Sequence, residues 1–221
     1  MTASATPSHR TTIGLFGGTF DPVHNGHLRI ALELKQHLQL DEMRLVPCHI
    51  PPHRRATHAD TEQRLGMVKL AIANCDQLVI DEVELQNPEP SFSVHTLNEL
   101  RQQLGEDVSL CLAMGMDSLV TMGSWFRWQD LLNLAHIIVA ARPGWQLPRT
   151  GEIADYLHQH TGSPNDLRTL SCGKIVVQEL TLLPISSTEI RAMISRNESA
   201  QYLLPDTVWQ YIRQQQLYRN P

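Results

Sequence analysis

Two histidines in a glycine-rich segment near the start of the chain have the type and spacing to bind phosphate. The segment at residues 17–27 reads G-G-T-F-D-P-V-H-N-G-H and follows an apolar run, so it is expected to connect a strand to a helix. Its two opening glycines let the backbone approach a bulky ligand. Asn25 is expected to cap the helix, whose N-terminus attracts phosphate. His24 and His27 are three residues apart and can project into the same space.

The His24–His27 pair also has less specific explanations. With 11 histidines in the chain, a pair at this spacing can arise by chance. Zinc is a second alternative, although no third ligand stands at a metal-ligand spacing. The segment matches neither G-x-x-x-x-G-K-[ST] nor G-x-G-x-x-G, the two common nucleotide-binding patterns. The motif alone therefore leaves a phosphate site, a chance pair and a zinc site open.

A second segment suited to phosphate lies near the other end of the chain. The residues I-S-S-T-E-I-R at 185–191 are expected to open a helix with Ser186 or Ser187 as the N-cap. Thr188 adds a third hydroxyl, and Arg191 follows one helical turn later. Alone, this segment is explained by an ordinary serine cap and a solvated arginine. Two phosphate-suited helix N-termini in one chain favour a nucleotide site.

The elements that must hold these segments alternate between short apolar runs and amphipathic stretches. We predict strands at 11–16, 44–47, 78–80, 108–113 and 136–141, and helices at 26–38, 61–73 and 93–104. This alternation favours an α/β fold with a single Rossmann-like, doubly wound parallel sheet flanked by helices. Ligands in such folds bind beyond the carboxyl ends of the strands. The loops after the strands, including a long one at 48–60, are therefore where the site is expected.

Length, composition and charge narrow the class of protein. A chain of 221 residues with 42% hydrophobic residues can form one domain, which we place at 11–221 after a loose tail at 1–10. The tail lacks the apolar stretch of a signal peptide. The formal net charge of −5 argues against a nucleic-acid-binding protein.

Two further features bear on the compartment. The longest apolar stretch, 131–141, is too short to span a bilayer and is interrupted by Asn133 and His136. The four cysteines form no C-x-x-C pair, which is typical of thiols in a reducing compartment. We expect a cytoplasmic protein without a membrane or nucleic-acid partner, and the sequence leaves its oligomeric state open.

Taken together, the two segments resemble the paired signatures of the H-x-G-H nucleotidyltransferase superfamily. Between them lie elements whose order is similar to that of bacterial nicotinate-mononucleotide adenylyltransferases: P-P-H-R at 51–54, P-S-F-S at 90–93, G-M-D-S-L at 115–119, S-W-F at 124–126 and A-R-P-G at 141–144. The match runs from about residue 12 to residue 218. The resemblance implies transfer of AMP from ATP, with Mg²⁺, to nicotinate mononucleotide in NAD biosynthesis, forming nicotinate adenine dinucleotide and pyrophosphate.

The resemblance also implies roles for individual residues. One set would hold ATP: Gly17, Gly18, Thr19, Phe20, His24, His27, Ser186, Ser187, Thr188 and Arg191. A second set would hold the mononucleotide: His53, Arg54 and Arg142 at its phosphate, Asp117 at the ribose, Trp125 stacked on the pyridine ring, and the backbone near Ser93 and Phe126 at its carboxylate. The expected catalytic residues are His24, His27 and Arg191, and no side chain is expected to bind the metal directly.

Other functions remain compatible with these residues. A sister adenylyltransferase could act on phosphopantetheine, which the elements at 51–54 and 124–126 disfavour, or on nicotinamide mononucleotide. The second is harder to separate because backbone groups can read the carboxylate. A different class of protein, a non-catalytic nucleotide-sensing module, could use the same fold.

Single residues of the middle segments have structural alternatives as well. Trp125 and Trp128 are three residues apart and could both be core residues of a helix face. Arg142 could be an ordinary charge at the end of a strand. The acidic residues that follow the strand at 78–80 are interpreted as surface acids at a strand exit: Asp81, Glu82 and Glu84.

Overall fold

The computed structural model describes residues 9–52, 57–142, 144, 146–181 and 183–219 of the chain. The strands are β1 (Thr12–Gly18), β2 (Glu42–Pro47), β3 (Val79–Ile80), β4 (Ser109–Gly115), β5 (His136–Ala141) and β6 (Ile175–Glu179). The helices are α1 (Asn25–His37), α2 (Thr61–Ile72), α3 (Ser93–Leu104), α4 (Met116–Thr121), α5 (Leu131–Leu134), α6 (Glu152–His160), α7 (Asp166–Thr169), α8 (Ser187–Ser195) and α9 (Asp206–Gln214). Short 3-10 turns lie at Val83–Gln86, Met122–Ser124 and Trp128–Asp130.

The six strands form one parallel sheet in the order β3-β2-β1-β4-β5-β6. Strands β2 and β3 lie on one side of β1, and the later strands β4, β5 and β6 lie on the other side. The carboxyl ends of β1 and β4 therefore flank the point where the strand order reverses, which is where open parallel sheets bind ligands. The predicted doubly wound, Rossmann-like fold is confirmed.

Both faces of the sheet are buried, which explains why the strands are apolar runs rather than alternating patterns. Leu15 and Phe16, successive residues of β1, belong to two different core clusters on opposite sides. Helices α1, α2, α8 and α9 contribute buried residues to the Phe16 side. Helices α3, α4, α5 and α6 contribute to the Leu15 side.

The predicted strands and helices agree with the observed ones to within a few residues. Elements that the sequence patterns do not predict are β6, whose apolar run is only Ile175–Val177, and helices α4, α5, α6, α7 and α9. Most of the expected N-terminal tail lies outside the described residues. Its last residue, Arg10, donates its N–H to the Arg168 carbonyl at 2.9 Å and its Nη1 to the Glu106 carbonyl at 2.8 Å. Within the described residues, no helix is long and apolar enough to cross a membrane.

Candidate active site

A cleft of about 690 Å³ opens at the carboxyl edge of the sheet, where the strand order reverses. All ten residues of the predicted ATP set line it: Gly17, Gly18, Thr19, Phe20, His24, His27, Ser186, Ser187, Thr188 and Arg191. Four residues of the predicted mononucleotide set line it as well: Ser93, Asp117, Trp125 and Phe126. The fold thus brings the whole ATP set and these four residues of the mononucleotide set to one continuous cleft.

The structure does not place the other three residues of the mononucleotide set at the cleft, and for two of them it gives no description. Arg142 directly follows β5 and is exposed, but it is not among the residues that line the cleft. His53 and Arg54 lie outside the described residues, so their predicted contact with a phosphate stays a prediction.

Two glycines are needed for the backbone to fit around the side chains of the site. A Cβ at Gly18 would come within 2.9 Å of the Phe20 ring, and one at Gly26 would come within 3.0 Å of the His24 ring. A Cβ at Gly17 would meet no atom within 4 Å. A side chain at Gly18 would therefore clash with Phe20 and one at Gly26 would crowd the His24 ring, whereas the space beside Gly17 is open to a ligand.

His24 and His27 cap helix α1 reciprocally. The Nδ1 atom of His24 accepts the backbone N–H of His27 at 3.4 Å, and the Nδ1 atom of His27 accepts the backbone N–H of His24 at 3.3 Å. The expectation that Asn25 caps this helix is wrong. Asn25 is the first residue of α1, and its side chain donates to the Tyr202 carbonyl at 2.9 Å instead.

The same hydrogen bonds determine the tautomer of the two imidazoles. Because each Nδ1 accepts a backbone N–H, each neutral ring carries its proton on Nε2. Burial lowers the pKa of His24 to about 4. Burial, followed by the charge of His24, lowers the pKa of His27 well below 6.5. Both rings are therefore neutral at pH 7, and each offers an Nε2–H donor.

The two serines at the start of helix α8 cap the helix and attach it to the turn after β1. Ser186 is the N-cap, and its Oγ accepts the backbone N–H of Glu189 at 3.2 Å. Ser187, the other candidate cap, is the first helical residue and donates its Oγ–H to the Pro22 carbonyl at 2.9 Å. This contact holds the N-termini of α1 and α8 at the same cleft.

Arg191 reinforces that attachment from inside α8. Its Nη1 donates to the Asp21 carbonyl at 2.6 Å, and its Nη2 lies 3.4 Å from the Thr188 Oγ1. A guanidinium has five N–H donors, so these two contacts leave donors for a ligand. The arrangement places a permanent positive charge beside two helix N-termini in one cleft.

The other half of the cleft is aromatic. Trp125 is half-buried, and Phe126 is 47% exposed with its ring centroid 4.9 Å from that of Phe92. Trp128, in contrast, is buried with its ring 4.7 Å from Tyr156. The alternative that treats both tryptophans as core residues holds fully for Trp128. Trp125 packs partly against the same core and also lines the cleft, where it can meet a planar ligand.

Ser93 and Asp117 lie in first helical turns beside these aromatic rings. Ser93 is the first residue of α3, so its backbone N–H is one of those that a helix leaves without an intrahelical partner. Asp117 is exposed in the first turn of α4. A backbone donor, an exposed carboxylate and an aromatic face can together recognise an anionic aromatic ring carried on a sugar.

The interpretation of all three acids after β3 as surface acids is wrong for two of them. Only Glu82 fits it, being partly exposed and paired with Lys69 at 2.7 Å. Asp81 is largely buried and accepts from the Arg44 Nη1 at 2.9 Å. Glu84 lines the cleft and accepts from the Thr96 Oγ1 at 2.8 Å, and burial raises the pKa of Glu84.

Asp21 is a further cleft residue, which lies in the turn between β1 and α1. Its side chain is buried and accepts three hydrogen bonds: from the backbone N–H of His58 at 2.9 Å, from that of Ala59 at 3.1 Å and from the Tyr218 hydroxyl at 2.8 Å. It thereby connects the turn after β1 to the loop before α2 and to the C-terminal segment. The partners are 37 to 197 residues away in the chain, so no local pattern indicates them.

Comparison with known proteins agrees with this architecture. A family model described as cytidylyltransferase-like matches residues 15–193. A probable nicotinate-nucleotide adenylyltransferase of Cellvibrio japonicus is 53% identical over 210 residues, which cover 95% of this chain and 100% of the relative. A protein of the same description from Aeromonas hydrophila is 48% identical over 208 residues, covering 94% of this chain and 97% of the relative.

A solved structure resembles the fold. It is the Plasmodium falciparum nicotinic acid mononucleotide adenylyltransferase complexed with NaAD, with a TM-score of 0.73 and 16% identity. The match covers 93% of this chain and 96% of that chain. At this identity the likeness concerns the fold alone.

Proposed function

Since the chain belongs to the nicotinate-nucleotide adenylyltransferase family, we propose that it transfers the AMP group of ATP to nicotinate mononucleotide, releasing pyrophosphate and forming nicotinate adenine dinucleotide. The observation that carries the residue assignment is the meeting of two capped helix N-termini, those of α1 and α8, at one cleft. Such termini bind phosphate through unpaired N–H groups and the helix dipole. An aromatic half-site lies in the same cleft.

ATP would occupy the half of the cleft between α1 and α8. The open space beside Gly17 lets the nucleotide approach the backbone after β1. His24 and His27 would donate from Nε2, and Arg191 from its remaining N–H groups. The serines at the start of α8 would complete the binding of the triphosphate.

Nicotinate mononucleotide would occupy the aromatic half. Trp125 would stack on the pyridine ring, and the backbone N–H groups near Ser93 and Phe126 would receive the carboxylate. Asp117 would bind the ribose hydroxyls. Arg142, His53 and Arg54 are the candidates for its phosphate, and Arg142 has to reorient or act at the rim, since it is exposed and outside the cleft lining.

The reaction needs no nucleophilic side chain. A phosphate oxygen of the mononucleotide attacks the α-phosphorus of ATP in line, the new P–O bond forms, and the bond to the departing pyrophosphate breaks. The attacking phosphate is already anionic, so no strong base is required. The protein has to position two anions that repel each other and to stabilise the charge on the leaving pyrophosphate. The helix N-termini, His24, His27 and Arg191 supply those donors.

The metal ion would arrive with the nucleotide. Among the described residues, no group of three or more His, Cys, Asp or Glu side chains is arranged to hold a metal ion. Mg²⁺ commonly keeps several waters and binds through substrate phosphates, where it neutralises their charge. We therefore propose that Mg²⁺ is held mainly by ATP, and that chelation with EDTA abolishes turnover until Mg²⁺ is restored.

The test is pyrophosphate release from Mg-ATP by the purified protein with nicotinate mononucleotide, nicotinamide mononucleotide and phosphopantetheine in parallel. A strong preference for the first acceptor supports the proposal. Preference for another acceptor keeps adenylyl transfer but contradicts the assignment of the aromatic half. Absence of turnover with all three favours a nucleotide-sensing module. The cytoplasmic location expected from the sequence stays a prediction, which cell fractionation checks.

A further inference from the structure

Arg64 is a buried arginine that binds the backbone of two different loops at the cleft. It is the fourth residue of α2 and is only 1% exposed. Its Nη1 donates to the carbonyls of Cys48 at 2.6 Å and Thr19 at 2.8 Å, and its Nη2 donates to the carbonyl of His49 at 3.0 Å. Nη2 also donates to the Thr61 Oγ1 at 3.1 Å within α2. One guanidinium thus joins three backbone carbonyls.

Those carbonyls belong to the loops that follow two neighbouring strands. Thr19 lies in the turn after β1, on the ATP side of the cleft, whereas Cys48 and His49 begin the loop after β2. Pro51 and Pro52 of that second loop also line the cleft. The planar guanidinium holds its donors in a fixed fork, so it sets the separation and orientation of the two loops together.

One nitrogen of the Arg64 guanidinium lies in an unfavourable environment. Its Nε is buried and has no hydrogen-bond partner among the described residues. A buried donor without a partner is unfavourable, and such groups in native proteins call for an explanation. The explanation that fits here is that the hydrogen bonds of the two Nη groups fix the side chain in this position and offset the cost of the unpaired Nε.

We propose that Arg64 is a positioning residue for both substrates, which sets the spacing between the turn after β1 and the loop after β2. Arg64 touches neither substrate and acts through the backbone that it binds. This inference rests on the proposed function, because the two loops are assigned to substrates by that proposal.

Arg101 provides a matched control elsewhere in the same fold. It is a partly buried arginine near the end of α3, and like Arg64 it donates to backbone carbonyls, including those of Val108 at 2.7 Å and Gly105 at 2.8 Å. A further carbonyl partner is Leu134. Val108 and Leu134 precede β4 and β5, so these contacts lie at the amino edge of the sheet, opposite the cleft.

The experiment compares Arg64→Met, Arg64→Lys and Arg101→Met with the unchanged protein. For each, the melting temperature is measured, and the KM values for Mg-ATP and nicotinate mononucleotide are determined at saturating concentrations of the other substrate. We expect Arg64→Met to raise both KM values by about tenfold or more, since displaced binding groups lose substrate contacts. The KM values of Arg64→Lys should lie between those of the unchanged protein and those of Arg64→Met, because an ammonium keeps the charge but lacks the planar fork of donors. Arg101→Met should lower the melting temperature and change both KM values by less than about twofold.

Two results would overturn the proposal: KM values unchanged in a folded Arg64 variant, or equal increases in the Arg101 variant. If Arg64→Met does not fold, the comparison of Arg64→Lys with Arg101→Met decides. Failure of the proposed function is separate, since it appears as absence of turnover in the unchanged protein. In that case calorimetric binding of Mg-ATP to the same variants still tests the role of Arg64 on the β1 side.

Discussion

His24 and His27 lie with their rings stacked, 3.7 Å between centroids and 21° between planes, while each Nδ1 accepts the other residue's backbone N–H. A pair of cationic imidazoles could not keep this arrangement, because protonated Nδ1 cannot accept and like charges repel. The arrangement of the pair therefore requires both rings to be neutral in the absence of ligand. An incoming polyphosphate would oppose the effect of burial and favour protonation.

The first prediction concerns acid stability. In the unfolded chain His24 binds a proton below pH 6.5, whereas in the folded protein it does so only near pH 4. The contribution of His24 to the free energy of unfolding is therefore fully present above pH 6.5 and is lost as the pH drops towards 4. It amounts to on the order of 3 kcal/mol. Urea unfolding at several pH values measures how the free energy of unfolding changes with pH, which is the slope of interest. His24→Asn keeps a capping side chain that does not titrate, so it should reduce this slope; the part due to His27 should remain.

The control for that measurement is His158→Gln, which removes an exposed histidine of α6. Its pH slope is the reference with which that of His24→Asn is compared. An unaltered slope in His24→Asn would show that other groups cause the acid sensitivity. His27 and His136, whose pKa values burial also lowers, are the first to examine.

The second prediction separates chemistry from capping at His27. His27→Ala should lower kcat on the order of 10²–10³-fold, as for the loss of one donor to the transition state. His27→Gln can restore the reciprocal cap, because glutamine is a preferred residue at this position of a capping box. We expect it to recover thermal stability but not kcat. Recovery of both would assign His27 a structural role only.

The third prediction concerns selectivity between the two substrates. Trp125→Ala should raise KM for nicotinate mononucleotide and leave that for ATP nearly unchanged, because only one substrate would contact the ring. Trp128→Phe is the control, since Trp128 is buried against Tyr156 and should affect stability alone. Equal losses for both substrates in Trp125→Ala would indicate a disturbed fold instead of a lost stacking contact.

The fourth prediction tests the connection between the C-terminal segment and the cleft. Tyr218→Phe removes the hydroxyl that donates to the Asp21 carboxylate at 2.8 Å. The free energy of unfolding should fall by about 1–3 kcal/mol, as for a hydrogen bond to a charged group. Tyr202→Phe, at a residue 80% exposed, should leave it unchanged. A Tyr218 variant as stable as the Tyr202 variant would contradict this role for the contact.

Much of the fold follows from local patterns. The strands β1, β2, β4 and β5 are long or strongly apolar runs, and the faces of α1, α2 and α3 have helical periodicity, so they were predictable. The strand β6 was not predicted, although its apolar run, Ile175–Val177, is as long as the run at 78–80 that forms β3. Its place is decided by pairing with β5.

The sequence by itself determined which chemistry could be present: imidazoles, hydroxyls, an arginine and glycines at two helix starts, and aromatic residues between them. Only the tertiary structure decided how these groups are used. It made His24 the cap in place of Asn25, placed Glu84 in the cleft, left Arg142 outside it, and gave Arg64 three backbone partners. The reason is physical: burial, pKa and hydrogen-bond partners depend on groups that are distant in the chain, and they exist only once the sheet has brought its loops together.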